Sequence, residues 1–276
     1  TLRRVKHASA ACATDMTFAI FMPPQAAQRP VPVVYWLSGL TCTDENFTTK
    51  SGFARVAAER GLCVVAPDTS PRGHPELPGE HDSYDLGSGA GFYVDATSAP
   101  WDKHYKMYTY VTSELPDIVE AMHPDQVANK RSICGHSMGG HGALTVFFKN
   151  PGRYASVSAF SPICSPTTCP WGEKAFTNYL GSVNSGRAHD ASVLARAATV
   201  KPDVPILVDQ GAADSFLVGE VDQLQPHVLV AACREAGIEL DLRMHEGYDH
   251  SYFFISTFIG DHLNFHADAL GAGPRG

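Results

Sequence analysis

The chain has 276 residues, 44% of them apolar and 18% charged, with 29 Asp and Glu against 21 Lys and Arg. That length can bury a substantial core without disulfides or metals, and the composition is that of an ordinary globular protein. A formal net charge of −8 argues against nucleic acid as a partner, because phosphate-backbone binding relies on clustered Lys and Arg.

Residues 16–22 alternate large and smaller side chains, as a half-buried strand does. Continuous apolar runs follow at 33–37 and 62–66, separated by a helical stretch over roughly 45–60 that Gly61 closes. Strands apolar on both sides of a helix predict a parallel sheet buried on both faces. The rhythm recurs: a helix over 103–122, a strand at 132–134, a helix over 140–149 and a strand at 155–160. It continues with a strand at 205–208, a helix over 223–236, a strand at 238–242 and a last helix over 252–269. We expect one α/β domain over 1–276, with a mostly parallel sheet of about eight strands and helices on both faces. Two segments, 68–100 and 161–201, read as long loop insertions, and structureless loops of that length are usually functional. Both are expected to cover a site.

The start, Thr1-Leu2-Arg3-Arg4-Val5-Lys6, carries basic residues with no apolar stretch behind them and does not read as a secretory signal. It lacks an initiator Met, which leaves a removed leader open. No apolar run reaches the ~18 residues of a membrane span, so no membrane partner is expected. The seven cysteines are odd in number and never spaced C-x-x-C. Reduced thiols in a cytoplasm fit that pattern better than a disulfide framework or a zinc site.

The most informative segment is Gly135-His136-Ser137-Met138-Gly139-Gly140. It matches the nucleophile-elbow pattern G-x-S-x-G between a predicted strand and a predicted helix, the context the α/β-hydrolase fold requires. A Ser lifted out on such a turn occupies strained backbone, at a cost of ~1–3 kcal/mol. The flanking glycines leave room where side chains would collide. The helix start then aims free N–H groups and positive dipole at a developing oxyanion.

A nucleophilic Ser needs a base and an orienting acid, which follow it in this fold in the order Ser, Asp/Glu, His. Asp209 falls at a strand end, whereas Asp214 lies in the loop beyond the strand's carboxyl edge, where ligands gather in open α/β sheets. His245 and His250 both follow the next strand. We favour Asp214 and His250, because Gly247 makes a turn before His250 and a helix begins directly after it. The oxyanion hole takes one N–H from the residue after the nucleophile, Met138, and one from the loop after an early strand, where Leu40 is the candidate.

Other candidates weaken. His245-Glu246-x-x-Asp249 lacks the second histidine of the zinc signature H-E-x-x-H. His262 and His266 lie four apart on a helix and read as a solvated face rather than a metal pair. Gly87-x-Gly89-x-Gly91 lacks the spacing and acidic residue of a dinucleotide fingerprint. Cys164 and Cys169 read as buried thiols under a cap, and Trp171 either faces substrate or packs within that cap. No metal and no dinucleotide site are expected.

With these motifs in hand, the chain resembles the S-formylglutathione hydrolase family, also called esterase D. The likeness runs from about residue 16 to the last helix. It includes Trp36-Leu37-Ser38-Gly39-Leu40-Thr41-Cys42-Thr43-Asp44-Glu45-Asn46-Phe47, Asp68-Thr69-Ser70-Pro71-Arg72-Gly73, Gly89-Ala90-Gly91-Phe92-Tyr93-Val94-Asp95 and Glu246-Gly247-Tyr248-Asp249-His250-Ser251-Tyr252. It implies an α/β-hydrolase fold with Ser137 as nucleophile, His250 as base, Asp214 as acid, and Leu40 and Met138 N–H groups as oxyanion hole. It also implies hydrolysis of S-formylglutathione to formate and glutathione in formaldehyde detoxification, side activity on small carboxylesters, no cofactor, and a homodimer. Cys42 occupies a motif position that the resemblance associates with inhibition by thiol reagents, so we expect it to be a modulator near the pocket. Ser137 already has the elbow, base and acid that a nucleophile requires.

Overall fold

In the computed structural model, which describes residues 1–273, the chain opens with an antiparallel hairpin of β1 (Leu2–Ser9) and β2 (Thr14–Phe21). The parallel strands follow: β3 (Val31–Leu37), β4 (Cys63–Pro67), β5 (Val127–His136), β6 (Val157–Phe160), β7 (Ile206–Gly211) and β8 (Leu240–His245). All eight join one sheet in the order β1-β2-β4-β3-β5-β6-β7-β8. After β3 the chain leaves to one side for β4 and later returns on the other side as β5. The carboxyl ends of β3 and β5 therefore flank a crevice, where open α/β sheets bind ligands.

Alternation along β3 divides the core in two. Val33, Tyr35 and Leu37 face a cluster that includes Met138 and Leu144, whereas Val34 and Trp36 face one that includes Phe47, Phe53, Phe254 and Ile259. The second face is covered by α1 (Asp44–Lys50), α2 (Ala54–Arg60) and the C-terminal helix (Tyr252–Leu270). Among the described residues no helix is long and apolar enough to cross a membrane.

Several elements differ from the sequence expectation. The helix expected over 45–60 is broken into α1 and α2, because Ser51 ends the first and Gly52 turns left-handed at φ +69°. The stretch over 103–122 is composite: α3 (Met107–Thr109), a π-helical turn (Tyr110–Glu114) and α4 (Leu115–Met122). Pro116 has no N–H to give the Thr112 carbonyl, which loosens the ladder there.

Segment 161–201 is helical rather than a loop. After a 3₁₀ turn (Pro166–Thr168) it holds α6 (Pro170–Leu180) and α7 (Ala191–Ala197). Prolines that read as loop punctuation occupy first-turn positions, where the missing N–H costs nothing. Segment 68–100 contains no helix or strand, only a bridge from Asp95 to Lys106. Buried Tyr179 pins it, taking a hydrogen bond from Gly87 N–H and giving one to the Ala90 carbonyl. His262 and His266 are fully buried against the sheet, which corrects the solvated face. They bond to Ser158 and Ser156.

Candidate active site

Ser137 joins β5 to α5 (Met138–Lys149), with φ 57° and ψ −119°. That is strained backbone for a residue with a Cβ, and its surroundings hold it there. Ser137 N–H bonds to the Phe160 carbonyl at 2.9 Å, and its own carbonyl accepts from His141 N–H at 2.9 Å. The glycines beside it are required by contact. A Cβ on Gly135 would stand 2.2 Å from the Gly139 carbonyl oxygen, and one on Gly139 would stand 2.0 Å from that of Leu37.

The loop after β3 lies against this elbow. A Cβ on Gly39 would be 3.1 Å from the Ser137 Cβ. Tyr93 hydroxyl donates to the Ser38 carbonyl at 2.8 Å and Thr41 N–H donates to Gly89 at 2.9 Å, so segment 68–100 braces the loop. Leu40 lines the pocket beside Ser137. Met138, fully buried, is the first residue of α5, so its N–H has no partner within the helix.

Asp214 and His250 meet across the next two loops. Gly211 lets β7 approach the Tyr248 and Asp249 carbonyls, at 2.5 and 2.9 Å from where its Cβ would be. Ala212 N–H bonds to His245 O and Ala213 N–H to Tyr248 O. So stitched, Asp214 Oδ2 stands 2.5 Å from His250 Nδ1, while its Oδ1 accepts the Phe216 N–H at 2.9 Å. The carboxylate is fully buried and the imidazole partly so. Engagement of Nδ1 leaves Nε2 as the nitrogen open to exchange a proton.

Asp209 has other partners. It takes a two-point bond from Arg243 at 2.6 and 3.0 Å and stands 3.2 to 3.3 Å from His262 and His245. Burial pushes its carboxyl up, but His262 and Arg243 outweigh that and hold it below the usual carboxylate range. The two aspartates that compete in the sequence thus bind different histidines.

Ser137, His250, Leu40 and Cys42 line one pocket of about 290 Å³. Its wall also includes residues that sequence reasoning did not single out: Asn46, Tyr84, His136, Phe216 and Tyr252. The His250 ring lies between His136, at 4.4 Å between centroids, and Phe216, at 4.8 Å. Trp171 lines the same pocket, packs on Phe216 at 4.6 Å and bonds the Tyr84 hydroxyl at 3.0 Å. Asn46 and Tyr252 fall inside strings that carry the resemblance and His136 inside the elbow, but a polar or aromatic residue in such a string reads equally well as packing, and Tyr84 and Phe216 lie outside them. Burial, and then the neighbouring His250, push the His136 imidazole well below its usual range, so it stays neutral. Burial likewise raises the Cys42 thiol, partly opposed by the Tyr252 hydroxyl and by Lys50.

Among the described residues no cluster of His, Cys, Asp or Glu suits a metal ion. Cys164 and Cys169 are free and buried. A larger groove of about 610 Å³ between β8 and the C-terminal helix shares no lining residue with the pocket and holds no Ser, Cys or His.

Comparison with known proteins fits this geometry. Residues 9–265 match a family described as "Putative esterase". The S-formylglutathione hydrolase of Rattus norvegicus is 53% identical over 268 residues, 97% of this chain and 93% of that protein. The solved S-formylglutathione hydrolase of Agrobacterium tumefaciens superposes with a TM-score of 0.91 at 46% identity, covering 98% of this chain and 95% of that one. MPT51 of Mycobacterium tuberculosis, at 16% identity and a TM-score of 0.72 over 98% of this chain and 99% of that one, shares the fold alone. The eight-stranded, mostly parallel sheet is an α/β-hydrolase fold. With more than half its sequence shared with the rat enzyme along nearly its full length, the chain belongs to the S-formylglutathione hydrolase family of esterases.

Proposed function

We propose that this enzyme hydrolyses S-formylglutathione to formate and glutathione through Ser137, His250 and Asp214, with side activity on small carboxylesters. The observation that carries the reading is that His250, held by the buried Asp214, lines the same pocket as the strained Ser137. His250 Nε2 takes the Ser137 proton as Oγ attacks the formyl carbon, and Asp214 holds the imidazole by Nδ1 and steadies its charge. The tetrahedral oxyanion is held by the N–H groups of Leu40 and Met138. Glutathione leaves as the thiol, taking from His250 the proton that came from Ser137, and the histidine, neutral again, deprotonates the water that releases formate from the acyl-enzyme. A thiolate of pKa about 8.5 needs less general-acid help than an alkoxide. A pocket of about 290 Å³ under Trp171, Tyr84 and Phe216 suits a small acyl group.

The test is kcat/KM on S-formylglutathione against longer acyl thioesters of glutathione and 4-nitrophenyl acetate. We expect the formyl thioester to lead. Faster cleavage of the acetate ester would make the protein a general carboxylesterase. Cys42, on the pocket wall, acts as a modulator: its alkylation blocks entry without touching the triad. We take 1–276 as a single domain, supported by one sheet holding every strand among the described residues. A cytoplasmic site is supported by seven cysteines that are all free thiols. A homodimer rests on the family resemblance, and light scattering during gel filtration reads it directly.

A further inference from the structure

We infer that Asn46 and Lys50, on one face of α1, form the subsite that holds a carboxylate of the glutathionyl arm. The inference rests on the thioesterase reading above and extends it to substrate recognition. Helix α1 starts directly after the Leu40–Thr43 loop, and its capping box fixes Asn46. The Asn46 Oδ1 accepts the Thr43 N–H at 2.9 Å. With the oxygen committed, the amide presents Nδ2 as a donor, and Asn46 lines the pocket. Lys50 follows four residues later, about 6 Å along the same face. Its Nζ stands 5.6 Å from the ring centroid of Tyr252, another pocket residue, and its charge reaches the Cys42 thiol.

Partnering distinguishes Lys50 from the other cations nearby. Arg4 takes both acidic side chains of α1's first turn, Asp44 at 2.7 Å and Glu45 at 3.2 Å. Lys174 is paired with Asp85 at 2.5 Å, and Arg72 with Asp68 at 2.9 Å. Lys50 has no carboxylate within ion-pair distance among the described residues. It is therefore an exposed, unpaired cation beside the pocket of a protein whose formal net charge is −8.

The chemistry of the arm matches. A glutathione thioester carries two carboxylates and one ammonium, so it reaches an acidic protein as an anion and needs local positive charge. The glycine carboxylate lies within about two residues of chain, at most ~7 Å, from the cysteinyl unit. An amide donor and an ammonium one helical turn apart offer it one fixed and one flexible contact.

The probe is S-methylglutathione as a competitive inhibitor of 4-nitrophenyl acetate hydrolysis, so arm binding is read without thioester turnover. Lys50→Ala is expected to raise its inhibition constant about 3- to 10-fold, as losing a partly solvated charged contact does. Lys50→Arg should restore most of the affinity. Asn46→Asp, which keeps the capping oxygen but replaces the donor with an anion, should weaken inhibition as well. Raising NaCl from 0.05 to 0.5 M should weaken inhibition of the wild type and leave Lys50→Ala nearly unmoved. The glycine ethyl ester of S-methylglutathione separates the two carboxylates. Weak binding indifferent to Lys50→Ala assigns the glycine carboxylate, and strong binding still sensitive to it assigns the γ-glutamyl one. The inference is overturned if S-methylglutathione does not inhibit the wild type. It is equally overturned if Lys50→Ala and Lys50→Glu leave inhibition unchanged. A wild type that cleaves esters but not S-formylglutathione would instead remove the thioesterase reading.

Discussion

Asp209 and Asp214 are both fully buried; Asp209 stands against His245 at the end of β8, and Asp214 against His250 in the loop after it. Their substitutions should separate chemistry from stability. Asp214→Asn is expected to lower kcat by about 10⁴-fold with the fold intact, because an amide on Nδ1 favours the wrong imidazole tautomer. Ser137→Ala should cost on the order of 10⁴- to 10⁶-fold. Asp209→Asn leaves Arg243 and His262 facing a neutral group, so it should cost about 3–5 kcal/mol of stability while the folded fraction still turns over. A folded but inactive Asp209→Asn beside an active Asp214→Asn would reverse the assignment. His245→Ala should likewise be mild beside His250→Ala. Cys42 makes a separate prediction. Burial raises its thiol, so inactivation by N-ethylmaleimide should be slow near neutrality and quicken toward pH 9. Cys42→Ser should keep substantial turnover and resist the reagent. Inactivation of that variant at the wild-type rate would place the sensitive thiol elsewhere.

At the scale of elements, the elbow depends on backbones approaching where no side chain fits. Gly139→Ala would press a methyl group into the Leu37 and Ser38 carbonyls, 2.0 and 2.6 Å away. Backbone cannot yield cheaply there, so we expect at least 1–3 kcal/mol of destabilisation and a fall in kcat as the oxyanion loop shifts. Thermal unfolding and kcat together test this, and a variant unchanged in both would show that the loop is not tightly held. The strand–Gly-x-Ser-x-Gly–helix pattern made this junction legible, because its spacing is a direct consequence of the collision. Other elements were not. Strand β1 went unread because, at the sheet edge, it exposes Leu2, Arg3 and Arg4 and carries little apolar alternation. Helix α6 was hidden by Pro166 and Pro170, because proline starts a helix in one context and ends it in another. His262 and His266 looked solvated because their polar atoms meet Ser156, Ser158 and Asp209, on or beside strands distant in sequence. Tyr84 and Trp171 meet only through the fold, and no local pattern announces such a contact.

For the whole molecule, the buried histidines set how stability follows pH. His136, His141, His262 and His266 are all buried, and burial lowers each imidazole, to about 4 for His141. Each therefore stays neutral in the folded protein at pH values where the unfolded chain, with a histidine pKa near 6.5, binds a proton. Below about pH 6.5 the unfolded state takes up more protons than the folded one, so stability falls as pH falls. While a histidine is charged in one state and neutral in the other, it contributes about 1.4 kcal/mol per pH unit. The lowered Asp209 carboxyl acts in a separate, more acidic window. Its contribution is complete above the unfolded value of about 3.9 and is lost only as pH drops toward its folded value. Urea unfolding at pH 7.5, 6.5, 5.5 and 5.0 should therefore show a plateau above pH 6.5 and a steep loss below it. Replacing His266 with Gln, which cannot take up a proton, should make that loss shallower even if the variant starts from lower stability. A stability that stays level between pH 7 and 5, or rises toward acid, would mean that these imidazoles are protonated inside the fold and that the Ser158-centred network beneath the sheet carries charge.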